Sequence, residues 1–469
     1  MPNKEIKNTL NTWDILVVSF GAMIGWGWVV SSGDWITSGG ILGTIIAFLI
    51  GGLLIYFVGL VYAELTTAFP YNGGVQKFSE QAFGKNVSFI CTWSLVLSYL
   101  GVVCFEAVSF PTILQYIFPH FLQGYLYTVM GFDIYLSWLI VAIFTSIFIV
   151  YINIRGAKIA AVFQTIFTSI IAIVGMTLIV GSALNGNIDN INTQLFIGNN
   201  LEEVTGNIMR VALMTPFFLF GFDVIPQAAE EIKVPLKRIG RIMMLSIIMA
   251  VTFYALIVLS VGYVMDGTMV KEATTGAGLV TASAMEVAFS SKMMAKVLVL
   301  GGLCGIVTSW NSFLIGGSRI IYSMAKTSLL PKVFSQIHNK YNTPANAILL
   351  LGIISVISVF FGRIMLIWIV NASNLACCIS YCIVALSFLS IRKKYPNLSR
   401  PYRVKLGKYV GIMAVALTSC MSILFVLPGT RCSLSIEEWV IVSFWAILGI
   451  ILWTRRVRQK VSSQNLAHK

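Results

Sequence analysis

Long apolar runs separated by short polar segments fill the chain from residue 12 to residue 454. A helix needs about 20 apolar residues to cross a bilayer, and runs of this length recur throughout. They lack the strict alternation of apolar and polar residues that marks a transmembrane β-strand, so the spans are expected to be helices. The pattern predicts about twelve spans, at 12–36, 41–68, 87–118, 134–153, 159–184, 207–229, 241–264, 294–323, 345–362, 364–391, 409–428 and 437–454.

Composition supports an all-α integral membrane protein. Hydrophobic residues make up 57% of the 469 residues and charged residues only 11%, whereas soluble globular domains carry about 25% charged residues. No stretch is left for a separate soluble domain, and residues 1–14 lack the basic-then-apolar pattern of a signal peptide. We therefore predict one transmembrane domain, 1–469, embedded in the lipid bilayer.

Lys and Arg are distributed unequally between the loops on the two sides of the predicted membrane. With the N-terminus inside, 26 of the 32 basic residues fall on the inner side and 6 on the outer side. The positive-inside rule then places both termini in the cytoplasm of a cell-membrane protein. The same bias accounts for the net charge of +14 without a nucleic-acid partner, because these charges lie in short loops beside the spans.

The sequence lacks recognisable combinations of catalytic or metal-binding residues. Seven cysteines fall in predicted spans and only Cys432 lies in an outer loop, so no disulfide framework follows. Cys377, Cys378 and Cys382 share one span, where small packing residues explain them better than a metal site. The three histidines are scattered, and phosphate-loop, HExxH and nucleophile-elbow motifs are absent. We predict neither an enzyme nor a bound metal or cofactor.

Two spans carry residues that interrupt a helix. Span 1 contains GAMIGWGWVV, in which Gly25 and Gly27 each weaken the helix by about 1 kcal/mol. Span 6 contains TPFFLFGFDVIPQAAEE, in which Pro216 and Pro226 each remove a backbone donor. Both helices are expected to break at mid-depth, span 6 near 220–224. The alternative is that the glycines permit close helix packing and Pro216 only kinks its helix.

Interrupted helices at matching positions of two halves are typical of inverted-repeat transporters. An opened backbone exposes N–H and C=O groups at the membrane midplane. The N–H groups suit a carboxylate, whereas the carbonyl oxygens suit an ammonium group or a cation. The two breaks therefore predict a site for a small charged substrate.

Six motifs, in sequence order, resemble the amino acid–polyamine–organocation (APC) superfamily of transporters. They are GAMIGWGWVV in span 1, YAELTTAFPYNGGVQKFSEQAFG (62–84), NIRGAK (153–158), FGFDVIPQAAEEIKVPLKRIG (220–240), SRIIYSMAKTSLLPKVFSQIHNKYNTPANAI (318–348) and IRKKYPNLSRPYRV (391–404). The resemblance covers nearly the whole chain.

The resemblance implies two inverted repeats of five spans, 1–184 and 207–391, followed by two helices within 409–454. Spans 1 and 6 would be discontinuous. It implies a secondary active transporter, a symporter or antiporter, that moves an amino acid by alternating access. A small amine (a polyamine, ethanolamine or a quaternary ammonium) is the alternative substrate. In another class, the alternative is a transporter-like sensor or channel.

The resemblance also implies substrate-binding positions. In the family, the amino acid carboxylate binds the N–H groups of a Gly-x-Gly, here Gly25, Trp26 and Gly27, and its amine faces backbone carbonyls around Met23, Ile24 and Phe220. Phe217 corresponds to a gate position. The full predicted site comprises Met23, Ile24, Gly25, Trp26, Gly27, Glu106, Phe217, Phe220, Gly221, Phe222, Asp223, Trp310, Asn311 and Asn374.

Three acidic or aromatic residues need separate interpretation. Trp26 replaces a small residue of the family, and its ring either walls an aromatic cage, gaining about 0.5–2 kcal/mol, or faces a neighbouring helix. Glu106 lies well inside span 3 and is expected to bind a substrate ammonium group or carry a proton, with helix packing as the alternative. Asp34 is expected to be exposed near the outer end of span 1.

The coupling ion stays open between proton, sodium and exchange. Some proton-coupled family members carry a lysine midway along span 5, but residues 162–175 contain none. The candidates are Glu106 for a proton and the hydroxyl groups of Thr308, Ser309 and Ser312 for sodium.

The remaining carboxylates have structural interpretations. Asp223 is expected either to cap the second half of span 6 or to touch the substrate. Glu64, Glu230 and Glu231 lie near inner ends of spans, where pairing with basic residues would close an inner gate. The basic candidates are Lys233, Arg238 and Arg319.

Overall fold

A computed structural model describes residues 10–275, 279–362, 364–430 and 433–467, without the side chains of 364–367 and 456–467. Cys432, on which the disulfide argument depended, lies outside these residues, as do Arg363 and Arg431. The helices are α1 (Thr12–Met23), α2 (Gly27–Val30), α3 (Ser32–Gly39), α4 (Ile41–Ala68), α5 (Gly74–Phe83), α6 (Lys85–Ile117), α7 (Leu136–Arg155), α8 (Ala157–Asn185), α9 (Ile188–Asn192), α10 (Leu201–Phe218), α11 (Val224–Gln227), α12 (Leu236–Val264), α13 (Gly267–Thr275), α14 (Val280–Phe289), α15 (Lys292–Lys326), α16 (Ala345–Val359), α17 (Ile364–Lys394), α18 (Gly407–Val426) and α19 (Ile436–Ala467).

Short elements complete the described fold. Single 3₁₀ turns occupy Ala229–Glu231 and Lys332–Ser335. Strands β1 (Tyr125–Val129) and β2 (Phe132–Tyr135) form one antiparallel hairpin between α6 and α7. The sequence pattern predicted spans alone and gave no indication of this hairpin.

Ten helical segments within the described residues are long and apolar enough to cross a membrane. They match ten of the predicted spans. The other two are span 6, which is divided between α10 and α11, and span 9, where α16 has 15 residues. The all-α membrane architecture predicted from the sequence is confirmed.

The long spans differ in how deeply they lie in the bundle. In the apolar stretch of each span, 94% of the residues are buried in α15 and 83% in α6, whereas 11% are buried in α19. The helix α15 packs against α1, α6 and α8, and α6 packs against α17. α15 and α6 are therefore central, and α19 lies at the periphery.

Both predicted helix breaks are confirmed, and they meet in the middle of the bundle. The first helix ends at Met23 and α2 starts at Gly27, while α10 ends at Phe218 and α11 starts at Val224. Gly221 has φ +129°, and a Cβ atom there would lie 2.5 Å from the Cβ of Ala22. Only glycine allows this backbone conformation and this approach of the two broken spans.

The two ends of the bundle are distinguished by what they carry. We call the end with the β1–β2 hairpin, α13 and α14 the hairpin end. We call the opposite end, which carries Lys158, Arg319, Arg392 and Arg400, the basic end. The N-terminal segment is bound at the basic end, where Leu10 exchanges backbone hydrogen bonds with Glu231 and Lys233 at 2.8 Å each.

Candidate functional site

The break in span 1 faces two polar side chains from different helices. A Cβ atom built on Gly25 would lie 3.3 Å from Oε1 of Glu106 on α6 and 3.1 Å from the Cβ of Ser309 on α15. A Cβ on Gly305 would lie 2.5 Å from the carbonyl oxygen of Gly25. The structure thus brings together three predicted site residues that are far apart in the sequence.

The backbone at this break has unused donors. The N–H of Ile24 still bonds the carbonyl oxygen of Phe20 at 3.0 Å, which ends the first helix. Within the described part of the chain, the N–H groups of Gly25, Trp26 and Gly27 donate no hydrogen bond. These N–H groups lie at the first residue of α2 and just before it, where helical acceptors are lacking.

Glu106 is the acidic group of the site. Its side chain is 3% exposed, and Oε2 has no hydrogen-bond partner among the residues the structure describes. A buried ionised carboxylate without a partner is strongly unfavourable. Glu106 therefore needs a proton or a positively charged ligand.

Hydroxyl groups hold the last turns of α1 in place. The Tyr254 hydroxyl donates to the carbonyl oxygen of Met23 at 2.9 Å. Thr308 donates to the carbonyl of Gly21 and Ser312 to that of Val18, both at 3.1 Å. The predicted sodium candidates on α15 therefore lie along its contact with α1, and Ser309 lies beside Gly25.

Aromatic residues border the site on the α10 side. Phe217 is partly buried, and its ring centre lies 5.9 Å from Phe105 and 6.0 Å from Phe220. The rings of Phe220 and Phe222 each lie 5.8 Å from that of Tyr381 on α17. These predicted residues are contiguous with the break in span 6.

Trp26 directs its ring to a neighbouring helix, which is one of the two alternatives left by the sequence. A Cβ on Gly302 of α15 would lie 2.0 Å from the ring of Trp26, so the ring packs directly on this glycine. Trp26 is 2% exposed. Its contribution to the break is its backbone N–H.

Asp223 is the N-cap residue of α11, but its side chain does not cap the helix. Its Oδ1 accepts from the N–H of Gly221 at 3.2 Å instead. The capping alternative is therefore wrong, because this carboxylate accepts from a residue before the helix and not from an N–H of α11. Oδ2 has no partner within the described residues, and Tyr99 and Tyr381 interact electrostatically with this carboxylate.

Asn311 does not join the group around Gly25. Its amide donates to Oε1 of Gln164 and accepts from Asn153, both at 2.8 Å, so it faces α7 and α8. Sequence reasoning missed Asn153 and Gln164, although an amide inside an apolar span was the available signal. Trp310 and Asn374 are buried, with Nε1 and Oδ1 respectively lacking partners in the described part.

Buried ion pairs lie at the basic end. Glu231 binds Arg319 through two hydrogen bonds of 2.7 and 3.1 Å, as one of the sequence alternatives predicted. Glu64 was expected to pair with Lys233, Arg238 or Arg319, but this prediction is wrong, since its partners are Arg392 and Arg400. The reason is that the last turn of α17, which carries Arg392, and the segment after it, which carries Arg400, both lie against Glu64. The N–H of Val404 in that segment also donates to Glu64 at 2.7 Å.

Three other acidic residues differ in their surroundings, and the sequence analysis considered two of them, Glu230 and Asp34. Asp14 pairs with Lys158 at 2.7 Å, which joins α1 to α8. The N–H of Glu230 donates to the side chain of Asn72 at 3.0 Å. Asp34 in α3 is exposed, as expected.

Comparison with known proteins finds a family model and relatives that match nearly the whole chain. The family model described as "Amino acid permease" matches residues 10–453. A methylthioribose transporter of Bacillus subtilis is 25% identical over 457 residues, which cover 96% of this chain and 94% of that protein. The branched-chain amino acid permease BcaP of Lactococcus lactis is 25% identical, with 96% and 95% covered. The lysine-specific permease LysP of Lactococcus lactis is 24% identical, with 88% and 82% covered.

Proposed function

Because the chain belongs to the amino acid permease family, we propose that it is a secondary active transporter that moves an amino acid across the cell membrane by alternating access. The basic end would face the cytoplasm, in keeping with the distribution of Lys and Arg. The observation that carries the proposal is the carboxylate of Glu106 beside the N–H groups of Gly25–Gly27. Within the described residues, Oε2 of Glu106 has no partner and these N–H groups donate no hydrogen bond.

A zwitterionic amino acid would provide partners for the N–H groups of Gly25–Gly27 and for the carboxylate of Glu106 at the same time. Its carboxylate would accept from the N–H groups of Gly25–Gly27, and its ammonium group would bind Glu106 and the carbonyls of Met23 and Ile24. An amine without a carboxylate would leave the amides unpaired, at about 1–3 kcal/mol for each buried donor. The amino acid is therefore favoured over the amine.

Alternating access gives the two ends of the bundle different tasks. The pair Glu231–Arg319 and the cluster around Glu64 would separate when the basic end opens. Phe217 would then close the route toward the hairpin end. In this scheme helices drawn from both repeats, 1–184 and 207–391, move together as units, because α4 of the first repeat packs on α10 and α12 of the second. The substrate stays at the breaks.

Glu106 also supplies a route for proton coupling. It would carry a proton when no ammonium group is bound, since an unpaired charge there is unfavourable. Sodium would instead use Thr308, Ser309 and Ser312, two of which donate to carbonyl oxygens of α1. The proton is favoured, with sodium dependence as the competing outcome.

Uptake into proteoliposomes tests the proposal. The purified transporter would be assayed with labelled branched-chain amino acids, lysine, ethanolamine and methylthioribose, under pH or sodium gradients. We expect saturable uptake of an amino acid. Methylthioribose carries neither a carboxylate nor an ammonium group, so preferred uptake of it would overturn the assignment of both binding groups.

The same preparation separates the other classes of function. A channel would pass current without saturation, and a sensor would bind its ligand without flux. A non-catalytic role is proposed because the matched family and relatives are transporters by name. Chemical conversion of the labelled substrate during uptake would contradict that part.

A further inference from the structure

A groove of about 380 Å³ lies between α6, α17 and α19, and none of its lining residues belongs to the breaks in spans 1 and 6. Its lining includes Phe89 and Trp93 of α6, Ala376 of α17, and Trp445 and Trp453 of α19. The volume falls within the range of about 300–1,000 Å³ that is usual for ligand sites. The proposed transport function uses none of these residues.

The aromatic wall of this groove is preformed. The indole N–H of Trp93 donates to the carbonyl oxygen of Trp445, and the indole N–H of Trp445 donates to that of Trp93, each at 2.9 Å. The two rings stack with centres 4.2 Å apart. Gly449 makes this fit possible, since a Cβ there would lie 2.6 Å from Nε1 of Trp93.

Two further rings extend the wall. Phe89 stacks on Trp93 at 5.8 Å, and Trp453 lies 5.2 Å from Phe89. Ile90 is 54% exposed and Ile450 is 61% exposed, so the groove opens on the outer surface of the bundle. In a membrane that surface faces lipid, and an acyl chain matches the apolar lining.

The end of the groove at the basic end carries positive charge. Lys85 precedes the lining residue Asn86, and Arg455 follows Trp453 by two residues. Both basic side chains are exposed. Residues 81–105 and 439–469 contain no Asp or Glu. The acidic residue nearest to Lys85 along the chain is Glu80 of α5, and it forms no ion pair with Lys85 within the described residues. Basic residues at this depth attract anionic headgroups.

We propose that this groove binds an anionic phospholipid of the bilayer, with one acyl chain along the four rings and the phosphate headgroup at Lys85 and Arg455. The apolar walls select the chain, and the basic rim selects the sign of the headgroup. A preference of about fivefold per basic residue, equivalent to about 1 kcal/mol, is expected over a zwitterionic lipid.

Brominated lipids test the proposal, because bromine on an acyl chain quenches indole fluorescence on contact. The full-length protein would be placed in bilayers of equal parts phosphatidylglycerol and phosphatidylcholine. Bromine would be carried by one lipid in the first sample and by the other in the second. We expect stronger tryptophan quenching when phosphatidylglycerol carries the bromine.

Variants assign the excess quenching to the groove. Ala446→Phe fills the groove and should abolish the excess, whereas Ser443→Phe adds the same ring to an exposed position of α19 outside the lining and should preserve it. The double variant Lys85→Gln with Arg455→Gln should still be quenched, but to the same extent by either brominated lipid.

Three results would overturn the proposal. Equal quenching by the two lipids in the unaltered protein would remove the headgroup preference. Excess quenching that persists in Ala446→Phe would place the lipid elsewhere. In the third result, both brominated lipids quench the unaltered protein only as weakly as they quench Ala446→Phe, and mass photometry detects a dimer. A second copy of the chain would then cover the groove.

Discussion

The buried carboxylates of the basic end and those of the central site differ in their partners. At the basic end, Glu231 is bound by Arg319, and Glu64 by Arg392 and Arg400. At the centre, no Lys or Arg within the described residues pairs with Glu106 or Asp223. The paired groups hold elements together, whereas the unpaired groups are available to a proton or a ligand.

The difference follows from position in the bundle. Carboxylates near the ends of spans lie within reach of basic residues in the loops, and these charges compensate each other as the chain folds. Basic residues are too costly at mid-depth for the same solution. A carboxylate kept at mid-depth without a partner is therefore better explained by function than by stability.

The largest effect is expected from breaking the buried pair at the basic end. Arg319→Gln leaves the charge of Glu231 buried alone and should destabilise the protein by about 3–5 kcal/mol. Thermal unfolding in detergent measures this loss. The double variant Arg319→Met with Glu231→Leu removes both charges and should recover most of it. An unchanged melting temperature in Arg319→Gln would contradict a structural role.

A smaller effect is expected from neutralising the unpaired carboxylate. Glu106→Gln should lower substrate affinity by about 1.5–3 kcal/mol, or roughly ten- to a hundredfold, because a charged hydrogen bond is lost. Expression and melting temperature should be unchanged or higher. Asp34→Asn, at an exposed position, is the control and should transport normally.

The pH dependence of uptake sharpens this prediction. If Glu106 carries the coupling proton, an imposed pH gradient should drive uptake in the unaltered protein and lose its effect in Glu106→Gln. Uptake by Glu106→Gln that matches the unaltered protein at every pH would reject Glu106 as both ligand and proton carrier.

Crowding the break tests the geometry of the site. Gly25→Ala would press a methyl group against Glu106 and Ser309, at an expected cost of about 1–3 kcal/mol from overpacking. We expect reduced substrate binding in a thermal-shift assay with the candidate amino acids. Gly267→Ala at the hairpin end meets only ordinary contacts at 3.5 Å and beyond, and should behave as the unaltered protein.

The smallest effect is expected at a half-exposed pair. Lys158 is 49% exposed in its pair with Asp14, and exposed pairs contribute about 0–1 kcal/mol. Lys158→Gln should therefore shift the melting temperature far less than Arg319→Gln. A comparable shift would mean that exposure does not determine how much each ion pair of the basic end stabilises the protein.

Much of the fold followed from the sequence because its causes are local. The length of each apolar run fixes a span, and the glycines of GAMIGWGWVV and the prolines around Gly221 weaken their own helices. The same local argument identified Glu106, since a carboxylate inside an apolar run stands out without knowledge of its neighbours.

Contacts between distant residues required the tertiary structure. Asn311 turns to Asn153 and Gln164, and the ring of Trp26 lies on Gly302, because each helix has one particular rotation about its axis. The sequence determines which residues form each helix. Because many of the spans are apolar on all sides, the sequence gives little indication of which face contacts which neighbour.

The sequence by itself therefore determined a membrane protein with two broken helices and a carboxylate at mid-depth. The tertiary structure decided that Glu64 pairs with Arg392 and Arg400, that Glu106 faces Gly25, and that Trp93 meets Trp445 across 352 residues. The physical reason is that helix formation depends on neighbours along the chain, whereas pairing depends on how the helices pack together.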